Sequence, residues 1–306
     1  MDGGHFFSQV VEESLPKKVY IRICELIESG SVRVADISEI RLRATGDAAI
    51  SVLGKNISLG ECVSGGDISE CAARLCRGSV YAHMDTIRAG YIRVRDGIRV
   101  GVCGTLAADG RAVSRITSVN IRIPHIIRGV SERFIKLCYE PPRIRSLLIY
   151  SPPGIGKTTV LRETAVRLGG EFSRRVALID TRGELYIEKM FSGTMCDVLS
   201  GYPRAQGIEI ATRTLSPEVI ICDELGDADE ARQLLSAQNT GVPIIASAHA
   251  SSVGELLSRP NIRLLHDART FSGYVGLSRE GVNGHLGRCF SFDYTPYEAV
   301  MGTEVC

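Results

Sequence analysis

What the 306-residue chain lacks narrows its possibilities first. Net charge is almost absent: 36 Lys and Arg against 35 Asp and Glu leave +1. That balance argues against a protein built wholly around non-specific nucleic-acid binding. No run of 18 apolar residues occurs, so no segment is expected to span a membrane. The opening stretch MDGGHFFSQVVEES has neither a basic n-region nor an apolar h-region, so no secretory signal is expected. Ten cysteines are present, yet none forms a CxxC pair and no histidine stands at zinc-finger spacing from two of them. Without an export signal they are expected to be reduced thiols, mostly small buried hydrophobes. The nearest pair, Cys71 and Cys76, reads as two residues of one helix. Internal repeats and low-complexity segments are also missing. With 44% hydrophobic and 23% charged residues the composition is globular. The length allows one or two domains with enough buried surface to fold without staples.

Lysine is scarce, 6 against 30 arginines, which codon bias or function would equally produce. The scarcity makes Lys157, the only lysine between 137 and 188, informative. Charge is also uneven. Residues 1–143 hold 20 basic and 16 acidic residues and residues 144–306 hold 16 and 19; within 88–128, eight arginines face two aspartates. A boundary is expected at Pro141-Pro142, which cannot continue a helix, so the domains are read as 1–140 and 141–306. The first reads as a small α+β domain. PKKVYIRICELIESG is a helix closed by Gly30, ISEIRLRATGDAAISVLGKNISL is a set of alternating strands, and GDISECAARLCRGSVYAHMDTI is a helix. AGYIRVRDGIRVGVCGTL is a hairpin turning at Asp96-Gly97, and TSVNIRIPH is one more strand. In the second, SLLIYS, RVALID, EVIICD and PIIAS are apolar runs without alternation, separated by helical stretches. Such runs fit strands buried on both faces of a mainly parallel sheet.

Chemistry concentrates after the first of these runs. Ser151-Pro152-Pro153-Gly154-Ile155-Gly156-Lys157-Thr158-Thr159 lies between a strand and a helix, the context a Walker A motif requires. Gly154 and Gly156 let successive backbone N–H groups face phosphate oxygens, and the helix dipole adds to that field. Pro153 through Thr159 are the expected nucleotide-binding residues. Lys157 would reach the β- and γ-phosphates, Thr158 would ligate Mg2+, and Thr159 would touch the α-phosphate. Ser151 stands where the strict pattern has Gly and asks for a φ that Gly adopts freely. Val219-Ile220-Ile221-Cys222-Asp223-Glu224 reads as a buried strand with two acids at its C-terminal end, where open α/β sheets hold ligands. Asp223 would hold Mg2+, and Glu224 would orient or deprotonate the attacking water. His249 also falls at a strand end, either as a γ-phosphate sensor or as a half-buried histidine. Asp180 and Glu184 are acids at another strand end, belonging to the site or to helix capping. The expected ligands are ATP and Mg2+; the N/TKxD guanine-reading pattern is absent.

These residues together resemble the secretion-ATPase superfamily, the hexameric P-loop motors of type II and type IV secretion and of pili. The resemblance rests on Ser216 through Asp227, on Thr240-Gly241-Val242-Pro243, on Ser247-Ala248-His249 and on an aspartate-box-like IDTRGEL. It is closer still to a branch of endospore-forming bacteria that acts at stage III of sporulation, with Gly201-Tyr202-Pro203-Arg204 adding to the match. The resemblance implies a P-loop, RecA-like ATPase domain preceded by a smaller α+β domain. It implies a homo-oligomer, a hexamer by analogy. It implies work in the mother-cell cytoplasm, docked peripherally on membrane-bound stage III sporulation channel proteins between mother cell and forespore. It further implies that the N-terminal domain of one subunit lends arginines to its neighbour's nucleotide. Arg93, Arg95, Arg99, Arg115 and Arg122 are candidates, with Arg99 and Arg122 favoured as strand residues. One departure is Ala-Ser-Ala-His where secretion ATPases carry Thr-Leu-His. Two other readings stay open: a nucleic-acid-associated RecA-like ATPase, for which Tyr91 is the only stacking aromatic between 88 and 128, and a nucleotide-binding structural ring component.

Overall fold

The computed structural model describes residues 9–94, 98–108, 110, 112–124, 128–226, 228–238, 241–282 and 285–301. The chain separates into two compact units, Met1–His125 and Ile126–Cys306.

In the first unit, α1 (Gln9–Ser14) and α2 (Lys17–Glu28) precede β1 (Ile37–Arg43), β2 (Asp47–Val52) and β3 (Lys55–Cys62). Helices α3 (Gly65–Leu75) and α4 (Met84–Arg88) then lead to β4 (Tyr91–Arg93), β5 (Arg99–Leu106) and β6 (Val113–Arg122). The strands form one antiparallel sheet in the order β3-β2-β1-β6-β5-β4. Strand alternation sorts its faces. Ile40, Ile50, Ile92, Val100 and Ile121 enter one buried cluster with Val19 and Ile23 of α2 and Ile68 and Leu75 of α3.

The stretch expected to be a single helix after residue 65 is broken. A capping box, Ser64 with Asp67, starts α3. The helix ends because Arg77 and Gly78 take φ of 52° and 78°, and the Gly78 N–H donates to the Ala73 carbonyl at 2.9 Å, a Schellman closure. The expected hairpin is present as β4 paired with β5. Its Asp96-Gly97 turn, with Arg95, lies outside the described residues, as do Asp227, Thr240 and Cys306.

The second unit opens with α5 (Glu132–Cys138), a ribbon of β7 (Tyr139–Glu140) and β8 (Arg143–Ile144), β9 (Leu147–Ser151) and α6 (Lys157–Gly170). There follow β10 (Val176–Asp180), α7 (Glu188–Phe191), β11 (Cys196–Ser200), α8 (Arg204–Ile210), β12 (Val219–Cys222), α9 (Ala228–Gln238) and β13 (Ile244–His249). The unit closes with α10 (Val253–Leu257), α11 (Pro260–Asp267), β14 (Gly273–Val282), β15 (His285–Pro296) and α12 (Tyr297–Met301). Seven strands form one sheet in the order β11-β10-β12-β13-β9-β14-β15. All run parallel except β15, which returns antiparallel beside β14. The four apolar runs are β9, β10, β12 and β13, and both their faces are covered. Leu147, Ile149, Val176, Leu178, Val219 and Ile221 enter one core. Their neighbours Leu148, Tyr150, Ala177, Ile179, Ile220 and Cys222 enter the other.

The boundary lies at 125/126 rather than at 140/141. Phe134, Ile135, Cys138 and Tyr139 pack in the core with Val160 and Leu161 of α6. Glu163 of α6 also accepts the N–H groups of Gly129 and, at 2.6 Å, Ser131. Pro141-Pro142 is therefore a turn of the second unit, not a linker. The edge strand β11 and the β14–β15 hairpin were not expected: Cys196–Ser200 is short and has no continuous apolar run, and the alternation of Phe290, Phe292 and Tyr294 in β15 was not read as a strand. Cys71 lies within α3 and Cys76 is the cap just past its last residue, and burial pushes the thiols of Cys71, Cys138 and Cys222 up to about 12, disfavouring the reactive thiolate.

Candidate nucleotide site

The fully buried strand β9 delivers the chain to the loop 152–156, and the 14-residue helix α6 starts at Lys157. Gly154 and Gly156 take φ of 79° and 127°, values that L side chains rarely adopt. The turn aims the first amides of α6, and the positive end of its dipole, into the loop. The exposed Pro153 and Gly154 and the half-buried Ile155, Thr158 and Thr159 surround that opening.

Ser151 is not strained as the sequence suggested. It is the last residue of β9 and lies outside the positive-φ region. Its hydroxyl donates to the Pro152 carbonyl at 2.9 Å and accepts from Lys157 Nζ at 3.2 Å. Lys157 is buried and also donates to the carbonyls of Ser151 at 2.8 Å and Pro152 at 3.2 Å. Desolvation lowers its ammonium below the ordinary pKa, opposed by the charges of Asp223 and Glu224.

The fourth partner of Lys157 is His249 Nδ1 at 2.8 Å. Ser151 and His249 are register partners at the ends of the neighbouring strands β9 and β13, which is why one lysine reaches both. Lysine can only donate, so Nδ1 is the acceptor and the ring proton belongs on Nε2. Nε2 in turn lies 3.1 Å from Glu224 Oε1. The histidine thus joins the lysine expected to bind phosphate to the carboxylate expected to act on water.

Asp223 completes the group. It accepts from the hydroxyls of Thr158 at 3.3 Å and Ser247 at 2.9 Å and from the Glu224 N–H at 2.9 Å. Thr158 and Asp223 are hard oxygen donors side by side, which suits Mg2+. Among the described residues no cluster of three or more His, Cys, Asp or Glu could hold a metal ion.

The folded chain therefore brings Lys157, Thr158, Asp223, Glu224 and His249 together. Arg99 and Arg122 belong to the first unit, where Arg93, Arg99, Arg122 and Glu39 are successive register partners across β4, β5, β6 and β1. Arg122 pairs with Glu39 at 3.2 Å. Arg115 stands on the same strand as Arg122, opposite Thr105.

Asp180 resolves toward structure. It is fully buried and accepts the N–H groups of Glu184, Leu185 and Tyr186 at 2.8, 3.1 and 2.9 Å. It caps the turn after β10 rather than facing a ligand, and burial raises its pKa. Two contributors were given no role from the sequence: Ser247, named there only within Ser247-Ala248-His249, and Phe290, not named at all. Ser247 orients Asp223, and the ring of the β15 residue Phe290 lies against Gly156. Only Ser247 carried a signal, its place at a strand end beside the acidic strand.

A mainly parallel sheet with a glycine loop after β9 and an acid pair after β12, the two strands separated by β13, is a P-loop, RecA-like fold. The Legionella pneumophila ATPase DotB superposes with a TM-score of 0.66 at 16% identity, covering 95% of this chain and 85% of that one. The pilus retraction motor PilT, solved with bound ADP, gives 0.63 at 15% identity, covering 92% and 86%. The chain belongs to the family described as Sporulation stage III, protein AA, whose model matches residues 11–291. The stage III sporulation protein AA of Bacillus subtilis (strain 168) is 29% identical over 309 residues, spanning 97% of this chain and 99% of that protein. Among the described residues no helix is long and apolar enough to cross a membrane.

Proposed function

We propose that this chain is an Mg2+-dependent ATP hydrolase. Its turnover drives assembly of, or export through, a membrane channel complex between mother cell and forespore. The single observation that carries the reading is the convergence of Lys157, Thr158, Asp223 and Glu224 at the C-terminal ends of β9 and β12. The amides at the start of α6 and the Lys157 ammonium bind the phosphates. Thr158 and Asp223 would hold Mg2+, which would supply positive charge against the phosphates. Glu224 orients the attacking water and takes its proton. His249 links Lys157 to Glu224, so the arrival of a γ-phosphate at the lysine is felt at the base.

The chain works as a homo-oligomer, a hexamer by analogy with secretion motors. Arg99 and Arg122 of one subunit stabilise charge on the phosphoryl group bound by the next. Such an arginine contributes about 10³–10⁵ in rate. The site of action is the mother-cell side of the membrane, reached through the stage III channel proteins. Family membership supports this setting, and likeness to a pilus retraction motor supports mechanical work.

The test is phosphate release from Mg-ATP against protein concentration, beside Glu224→Gln. The expected result is a specific rate that rises with concentration and vanishes in the variant. Normal turnover in Glu224→Gln would sink the base assignment, and a wild type that releases no phosphate at any concentration would sink the hydrolase reading.

A further inference from the structure

The segment IDTRGEL has a part that the nucleotide site does not yet explain. Glu224 is gripped on both oxygens: Oε1 lies 3.1 Å from His249 Nε2, and Oε2 accepts from Arg182 Nη1 at 2.7 Å. The sheet order makes this possible. β12, which ends two residues before Glu224, lies between β10 and β13, so Arg182, two residues past β10, and His249, the last residue of β13, flank Glu224 from opposite sides.

Half-exposed ion pairs are ordinarily worth little. What distinguishes this one is the frame behind Arg182. Its turn passes through Gly183 at φ 69° and is closed by the three N–H groups donated to buried Asp180. The buried Arg162 donates from Nε to the Leu185 carbonyl at 2.9 Å and from Nη2 to the Glu184 carbonyl. Arg162 belongs to α6, the helix whose first residues are Lys157 and Thr158. The turn that aims Arg182 is therefore riveted to the phosphate-binding helix itself.

We propose that Arg182 is a positioning residue for Glu224. With His249 it holds the carboxylate in one rotamer, so that the lone pairs neither group uses face the phosphate loop, where water would attack. A carboxylate has about four lone-pair sites, and these contacts occupy two. Asp180 and Arg162 set the angle of the turn. The inference rests on the hydrolase reading and adds to it a residue from outside the phosphate loop and the acidic strand.

The test compares wild type, Arg182→Gln and Arg182→Lys in Mg-ATP turnover and in Mg-ADP binding by calorimetry. Misplacing a reacting group by about 1 Å costs roughly 10²-fold. The expected result is a kcat about 10- to 100-fold lower in Arg182→Gln with KM and Mg-ADP affinity within about twofold of wild type. Arg182→Lys, which keeps one charged donor, should recover part of the loss, and adding Arg182→Gln to Glu224→Gln should cost nothing further. A wild type that turns over beside an Arg182→Gln variant of equal kcat would overturn the role of Arg182 alone. So would a loss of Mg-ADP affinity as large as the loss of kcat, or an Arg182→Lys variant as impaired as Arg182→Gln. A wild type that binds Mg-ADP without ever turning over ATP would overturn the hydrolase reading, and this one with it.

Discussion

Gly156→Ala tests how the C-terminal hairpin supports the phosphate loop. A Cβ at position 156 would stand 2.6 and 2.8 Å from Cε1 and Cζ of Phe290, closer than real Cβ atoms come to any neighbour. Phe290 is buried in the core beneath the sheet, so its ring cannot swing into solvent. Overpacking of this kind costs about 1–3 kcal/mol. Holding alanine at φ 127° adds about 1–2 kcal/mol, the scale of left-handed backbone strain. The expected loss is about 2–5 kcal/mol, or roughly 6–15 °C in Tm at about 3 °C per kcal/mol for a unit of this size. Phe290→Ala alone costs about 3–5 kcal/mol as a cavity. In the double variant the steric part disappears, so the losses fall short of additivity by about 1–3 kcal/mol. Thermal unfolding of the four proteins measures this, with Mg-ADP binding as the second readout. Binding stays impaired in the double variant, because the φ penalty and the displaced amides remain. Losses that add to within about 0.5 kcal/mol would refute the Phe290 contact as the obstacle.

Other expectations concern the lysine and the arginines. Because burial lowers the pKa of Lys157 in the folded chain, the unfolded chain binds more protons between that lowered value and 10.5, so this group makes stability rise with pH across that window. Lys157→Met should abolish turnover, and the difference in Tm between wild type and variant should move in the wild type's favour as pH climbs toward 10.5; a difference that does not change with pH would sink this account. Arg99→Ala and Lys157→Ala should each be inactive alone. Mixing them should restore part of the phosphate release, since a Lys157→Ala subunit can lend its arginine to the intact phosphate loop of an Arg99→Ala neighbour. No recovery on mixing would count against an arginine supplied in trans.

The parts of this protein that its sequence determined are the local ones. The phosphate loop is contiguous: strand, Gly154, Gly156, Lys157 and helix follow one another within one stretch of chain, and backbone sterics leave glycine little competition at those two angles. The buried strands were legible for a similar reason. Covering β9, β10, β12 and β13 on both faces demands uninterrupted apolar runs, whatever the topology around them. Asp223 and Glu224 could be read because they end such a run.

Tertiary structure decided whatever depends on which strands lie side by side. β9 neighbours β13 although 92 residues separate Lys157 from His249, and that adjacency fixes the histidine's tautomer and its link to Glu224. Arg182 and Glu224 meet only because β10 and β12 are paired. The Pro141-Pro142 turn looked like a linker because its local chemistry is that of one; the packing of Phe134 and Cys138 against α6 assigned it to the second unit. Phe290 reaches Gly156 through the β14–β15 hairpin, whose alternating Phe290, Phe292 and Tyr294 mark a strand but not its place in the sheet beside β9. Backbone preference acts over a few residues and leaves its mark in the string, whereas pairing between distant strands is settled by burial over the whole sheet.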